Sequence, residues 1–74
     1  MICNTPKDLL AALSYYMDLN DLQRKTISVE LKKSPQSISQ IFQIGNPQLN
    51  TFFDMLQALD LSLDVNFVKK SNDE

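Results

Sequence analysis

Gln36, Ser37 and Gln40 lie within little more than one helical turn of each other, directly after Ser34-Pro35. A primary amide carries a donor and an acceptor side by side. That pair matches the major-groove edge of adenine, and a serine hydroxyl serves several base edges. Arg24, Lys25, Lys32 and Lys33 flank this group. Cations so placed hold phosphate oxygens and supply affinity and register. The same polar residues would also make an ordinary solvated helix face, and composition leaves both readings open.

Other chemistries are poorly supplied. The chain has no histidine, so it has no imidazole base and no His-ligated metal. Cys3 is the one cysteine, which leaves no internal disulfide and no cysteine zinc site. A single glycine rules out a glycine-rich phosphate loop. Asp60 and Asp64 have no nucleophile or base beside them in sequence and read as solvated surface. The expectation is a binding module, not an enzyme, with no cofactor and no metal.

With 74 residues, 43% apolar and 22% charged, the chain reads as one small domain. The net charge of −2 is unevenly spread. Residues 1–21 carry −2, residues 22–43 carry +3 and residues 44–74 carry −3. A positive middle between acidic flanks can still meet phosphate. No apolar run is long enough for a membrane span, and Lys7-Asp8 breaks the layout of a signal peptide. The expected location is the cytoplasm.

Apolar spacing and breakers give the elements. Thr5-Pro6 starts a first helix over about 6–18, with Leu9, Leu10, Leu13, Tyr16 and Met17 on one face. Asn20-Asp21 reads as a turn and as the cap of a second helix over about 22–32. That helix turns Ile27 and Leu31 inward, with Leu22 and Val29 as weaker contributors. Pro35 ends that helix before Ser34, and the same pair starts a third over about 35–42 with Ile38, Ile41 and Phe42 inward. Two short helices around a tight break form a helix-turn-helix. After the Gly45-Asn46-Pro47 loop, a fourth helix over about 49–60 buries Phe52, Met55, Leu56 and Leu59, with Phe53 partly so.

The period then changes to two. Leu61, Leu63, Val65 and Phe67 alternate with Ser62, Asp64 and Asn66, which predicts a strand over about 62–67. The chain holds no second strand, so the expected partner is the same strand of a second copy. Leu63, Val65 and Phe67 would then form a homodimer interface. The polar tail over 69–74 is expected to fray.

Residues 22–67 resemble the XRE family of lambda-repressor-like helix-turn-helix proteins. Leu22, Arg24, Ile27, Ser28, Ser34 and the run Ser37-Ile38-Ser39 stand at its motif positions, with Arg24 where glutamine is usual. The run from Thr51 to Leu63 is similar to the end of HipB-type antitoxins, which follow the helical domain with a strand that pairs across a dimer. The sequence also departs from the pattern in the turn and in the third helix, and Gly45 comes one residue late. Lys32 replaces a turn glycine, Lys33 an apolar residue and Phe42 a frequent glutamate, and Pro35 occupies a position that often reads bases.

The resemblance implies a mainly α, four-helix domain spanning 1–74, dimeric through its C-terminal strand. It implies base reading by Gln36, Ser37 and Gln40, and phosphate contacts by Arg24, Lys25, Lys32, Lys33, Ser34, Gln43 and Asn46. Gln43 and Asn46 are placed in the loop after the third helix. The implied function is a repressor on an inverted-repeat operator that is also the antitoxin of a HipA-like toxin kinase. A plain regulator without a toxin, and a degenerate helix-turn-helix that binds only protein, remain alternatives.

Overall fold

The computed structural model describes residues 1–70; the end of the expected tail, residues 71–74, lies outside the described residues. Four helices form the body: α1 Pro6–Leu19, α2 Arg24–Leu31, α3 Pro35–Ile44 and α4 Leu49–Ala58. The mainly α, four-helix expectation agrees with this. None of the helices is long and apolar enough to cross a membrane.

Two helices begin as their residue types dictate. Thr5 accepts from the Asp8 amide at 3.1 Å, and Asp8 accepts from the Asn4 amide at 3.0 Å, while Pro6 opens α1. Ser34 likewise accepts from the Ser37 amide at 3.1 Å ahead of Pro35. Each cap satisfies an amide that the helix itself leaves unpaired.

The helix ends share one device. Asp21, Lys32, Gly45 and Asp60 all have left-handed backbones, with φ of 57, 56, 75 and 59°. After α1 the Leu22 amide reaches back to the Met17 carbonyl at 2.8 Å, and after α4 the Leu61 amide reaches the Leu56 carbonyl at 2.8 Å. These are Schellman closures, in which one left-handed residue lets two amides reach the last free carbonyls.

This device corrects three expected boundaries. Asn20 and Asp21 terminate α1 instead of capping α2, so α2 starts at Arg24, behind a Gln23 that makes no side-chain cap bond. α3 continues to Ile44, because its stop is Gly45 and nothing earlier breaks it. α4 closes at Ala58, because Asp60 already holds the left-handed position.

The core is Leu10, Leu13, Met17, Ile27, Ile38, Phe52, Met55, Leu56 and Leu59. Leu9, Leu22, Leu31, Ile41, Phe42 and Leu61 pack around its edge. α2 packs on both α3 and α4, and α1 packs on α3. Tyr16, expected inward, is 47% exposed, because α1 buries the narrower stripe of Leu10, Leu13 and Met17. Val29 points to solvent, and Phe53 sits edge-on to Phe52 at the surface with centroids 5.9 Å apart.

No strand is present among the described residues. The segment over 62–67, expected as a strand, forms no ladder here because the chain offers it no second strand. Val65 is 55% exposed and Phe67 94%. The radius of gyration is 13.4 Å, against about 11 Å for a compact domain of this length. The excess fits a segment that extends away from the helices.

Two substitutions test the helix ends, with opposite signs. A Cβ at Gly45 would lie 2.8 Å from Lys7 Cγ and 3.3 Å from Lys7 Cα, on a φ unsuited to a side chain. Gly45→Ala is expected to destabilise by about 1–3 kcal/mol in urea unfolding. Asp60→Gly removes left-handed strain and a carboxylate from the negative end of α4, partly offset by added freedom of the unfolded chain. It is expected to stabilise by about 0.5–1 kcal/mol, and a lowered midpoint would contradict the strain assigned to Asp60.

Candidate nucleic-acid interface

The turn between α2 and α3 sets the site. Ser28 is 94% buried, at a place in α2 where an apolar residue would be unremarkable. Its hydroxyl donates to the Lys33 carbonyl at 2.6 Å, while the Lys33 amide donates to the Ser28 carbonyl at 3.0 Å. This reciprocal pair stitches the turn onto the end of α2. Lys32 takes the left-handed corner, and Ser34 caps the next helix. Both lysines are exposed.

α3 leaves that turn with Ile38 buried and its opposite side open. Pro35, Gln36, Ser39, Gln40 and Gln43 line a shallow surface depression on that side. Gln36 and Gln40, one turn apart, are both exposed and share this face. Ser37 is exposed beside them, with its hydroxyl 2.9 Å from that of Ser34, so part of its hydrogen-bonding capacity is spent within the cap. Gln43 lies in the last turn of α3 and not in the following loop, because the helix runs to Ile44. Asn46 is exposed in that loop.

Ser39 belongs to this face although the sequence reading did not single it out. Its position three after Gln36 and four before Gln43 is the signal that could have found it.

The cations are placed unequally. Lys25 is exposed in the first turn of α2. Arg24 is the first residue of that helix, and its guanidinium carbon lies 4.2 Å from the centre of the Phe42 ring on α3. Its Nη2 also donates to Ser14 Oγ on α1 at 3.5 Å. Arg24 is thus already engaged with side chains on two other helices.

A second concavity lies between α1 and α4. It holds about 310 Å³, is floored by Leu13, Phe52 and Leu56, and is edged by Leu9, Tyr16 and Leu63. It shares no residue with the α3 depression.

The α3 face offers amides and hydroxyls on one exposed side of the helix, with cations in the turn before it. It has no nucleophile paired with a base, and its groups suit recognition by hydrogen bonding and charge. Comparison of the chain with protein-family models, with characterised proteins and with solved structures gives no match.

Proposed function

We propose that the protein is a dimeric, sequence-specific DNA-binding regulator that lays the outer face of α3 in the major groove. The observation that carries this reading is the amide-rich, exposed side of a capped helix, joined through a lysine-bearing turn to the helix before it. Gln36 and Gln40 read base edges, with Ser37 and Ser39 beside them. Lys25, Lys32, Lys33, Ser34, Gln43 and Asn46 hold phosphate around that face. The acidic remainder of the chain keeps general affinity for DNA low, so binding depends on this one surface.

The second copy supplies what the segment over 62–67 lacks. Two such segments pair antiparallel about a two-fold axis and satisfy each other's backbone groups, with Leu63, Val65 and Phe67 covering the join. The two copies of α3 then fall about 34 Å apart, one turn of duplex, and read an inverted repeat. The likeness of residues 51–63 to HipB-type antitoxins extends the proposal to a toxin-kinase partner. The protein would bind that kinase while on DNA and repress their shared operon. Asp8, Asp18, Asp54 and Asp60 would speed encounter with a basic partner surface.

Selection from a random-duplex pool tests the regulator reading, and it fails if no motif is enriched. At the enriched motif, Gln36→Ala or Gln40→Ala is expected to cost about 1–3 kcal/mol and to change little at random duplex. Lys25→Ala is expected to weaken both alike and to flatten the salt dependence by about one unit. Sedimentation at tens of micromolar is expected to show a dimer, as for a Kd of about 1 μM or below. Val65→Pro, which removes a ladder donor, should shift it toward monomer; a clean wild-type monomer contradicts the paired arms. The kinase partner is expected to be encoded beside this chain, to be toxic alone and to co-purify with it, and a neighbour that is not toxic alone or does not co-purify leaves the plain regulator.

A further inference from the structure

We infer that Arg24 is a positioning residue for α3: its guanidinium, clamped on Phe42 and Ser14, sets how α3 presents Gln36 and Gln40, and it does not serve as a phosphate contact. The inference rests on the DNA-reading role proposed for α3. Its physical basis is a contact that exists without DNA.

Arg24 opens α2, whose first turn holds no acidic residue and whose Gln23 cap makes no side-chain bond. A cation at a helix N-terminus sits at the wrong end of the dipole. The guanidinium is instead laid over the Phe42 ring, with 4.2 Å from its carbon to the ring centre. That is well inside the range in which a cation is held by the negative face of an aromatic ring. Nη2 also lies 3.5 Å from Ser14 Oγ on α1, a long and exposed contact beside which the ring is the principal hold. One side chain therefore connects three helices.

Phe42 is half-buried and stands two residues after Gln40. At about 100° per residue the two side chains point to opposite sides of α3. Holding Phe42 against Arg24 therefore holds the rotation of α3 about its own axis, and with it the direction of the base-reading amides. A leucine at position 42 could fill much of the same space, but it offers no face for the cation. Among the described residues Lys25, Lys32 and Lys33 have no such engagement, and they remain the proposed phosphate-binding cations.

The experiment has two arms, both on the intact chain. Side-chain NMR without DNA reads the contact. The Arg24 δ- and ε-proton signals are expected upfield, under the ring current of Phe42, in the wild type and in Phe42→Tyr, and at ordinary positions in Phe42→Leu. The second arm uses duplex enriched from a random pool by the wild type, with random duplex as control. Arg24→Ala and Phe42→Leu are each expected to lose about two- to five-fold in affinity at the enriched motif, the scale of an exposed cation–π contact. The double variant should lose no more than either single one, and Phe42→Tyr should bind as the wild type does. The salt slope and random-duplex affinity should stay unchanged in all of them.

Absence of the ring-current shift overturns the inference. So does a salt slope that falls by about one unit in Arg24→Ala, which would make Arg24 a phosphate contact. Losses that simply add in the double variant also overturn it. If the wild type enriches no motif, the regulator reading fails while the NMR arm still decides the clamp: a shift lost in Phe42→Leu upholds it, and no shift overturns it.

Discussion

The turn Lys32-Lys33-Ser34 is the constraint on which the rest of the structure depends. It must end one helix, reverse direction and start another within three residues. It does so with a left-handed Lys32, the reciprocal bonds between Ser28 and Lys33, and the Ser34 cap on the Ser37 amide. These contacts are local, but their consequence is not. They hold α3 at one angle to α2, and Ile27 and Ile38, both fully buried, lock the two helices together. With Ile38 in the core, Gln36, Gln40 and Gln43 fall on the outward side of α3, and the Arg24–Phe42 contact holds the remaining freedom of rotation. A buried hydroxyl at Ser28 would cost stability if left alone. Here it is satisfied by the one carbonyl that must be held still.

Much of this was legible in the residues. The proline pairs mark two helix starts because proline has no amide to lose at that position. Apolar spacing finds the core in α3 and α4, where the buried and exposed faces differ sharply. The helix ends were harder to read. The chain has one glycine but four helices that stop on left-handed residues, and aspartate or lysine fills the other three positions. A search for glycine misses Asp21 and Asp60, hence the misplaced boundaries of α2 and α4, while α3 is expected to end at 42 although its stop, Gly45, is in view. Lys32 differs, since it stands where the resemblance places a turn glycine and takes the left-handed backbone that suits glycine there. Tyr16 misled for another reason: periodicity locates the apolar stripe but not its width.

The site was legible in part. Polar spacing placed Gln36 and Gln40 on one exposed face of α3, as the structure has them, because helical geometry follows directly from sequence separation. The Arg24–Phe42 contact could not be read that way. It joins residues 18 apart through the packing of α2 on α3, and no local rule specifies it. The segment over 62–67, expected as a strand, lies at the opposite limit and forms none here. Its alternation is plain, but a strand is a relation between two segments, and a single copy supplies one. In the isolated chain the pattern is visible only as exposed apolar side chains, above all Phe67.

Contact with DNA through the outer face of α3 and the turn before it, as proposed, can be read in solution. Amide chemical-shift mapping of the isotope-labelled protein, titrated at low salt with a mixed-sequence duplex, tests it most directly. Weak binding, with a Kd of about 10⁻⁴ to 10⁻⁶ M, suffices for such mapping. Shifts are expected to concentrate at Lys25 and from Lys32 through Asn46, with the groove between α1 and α4 unmoved. Shifts concentrated on α1 and α4, or no shifts at any duplex concentration reached, would contradict it.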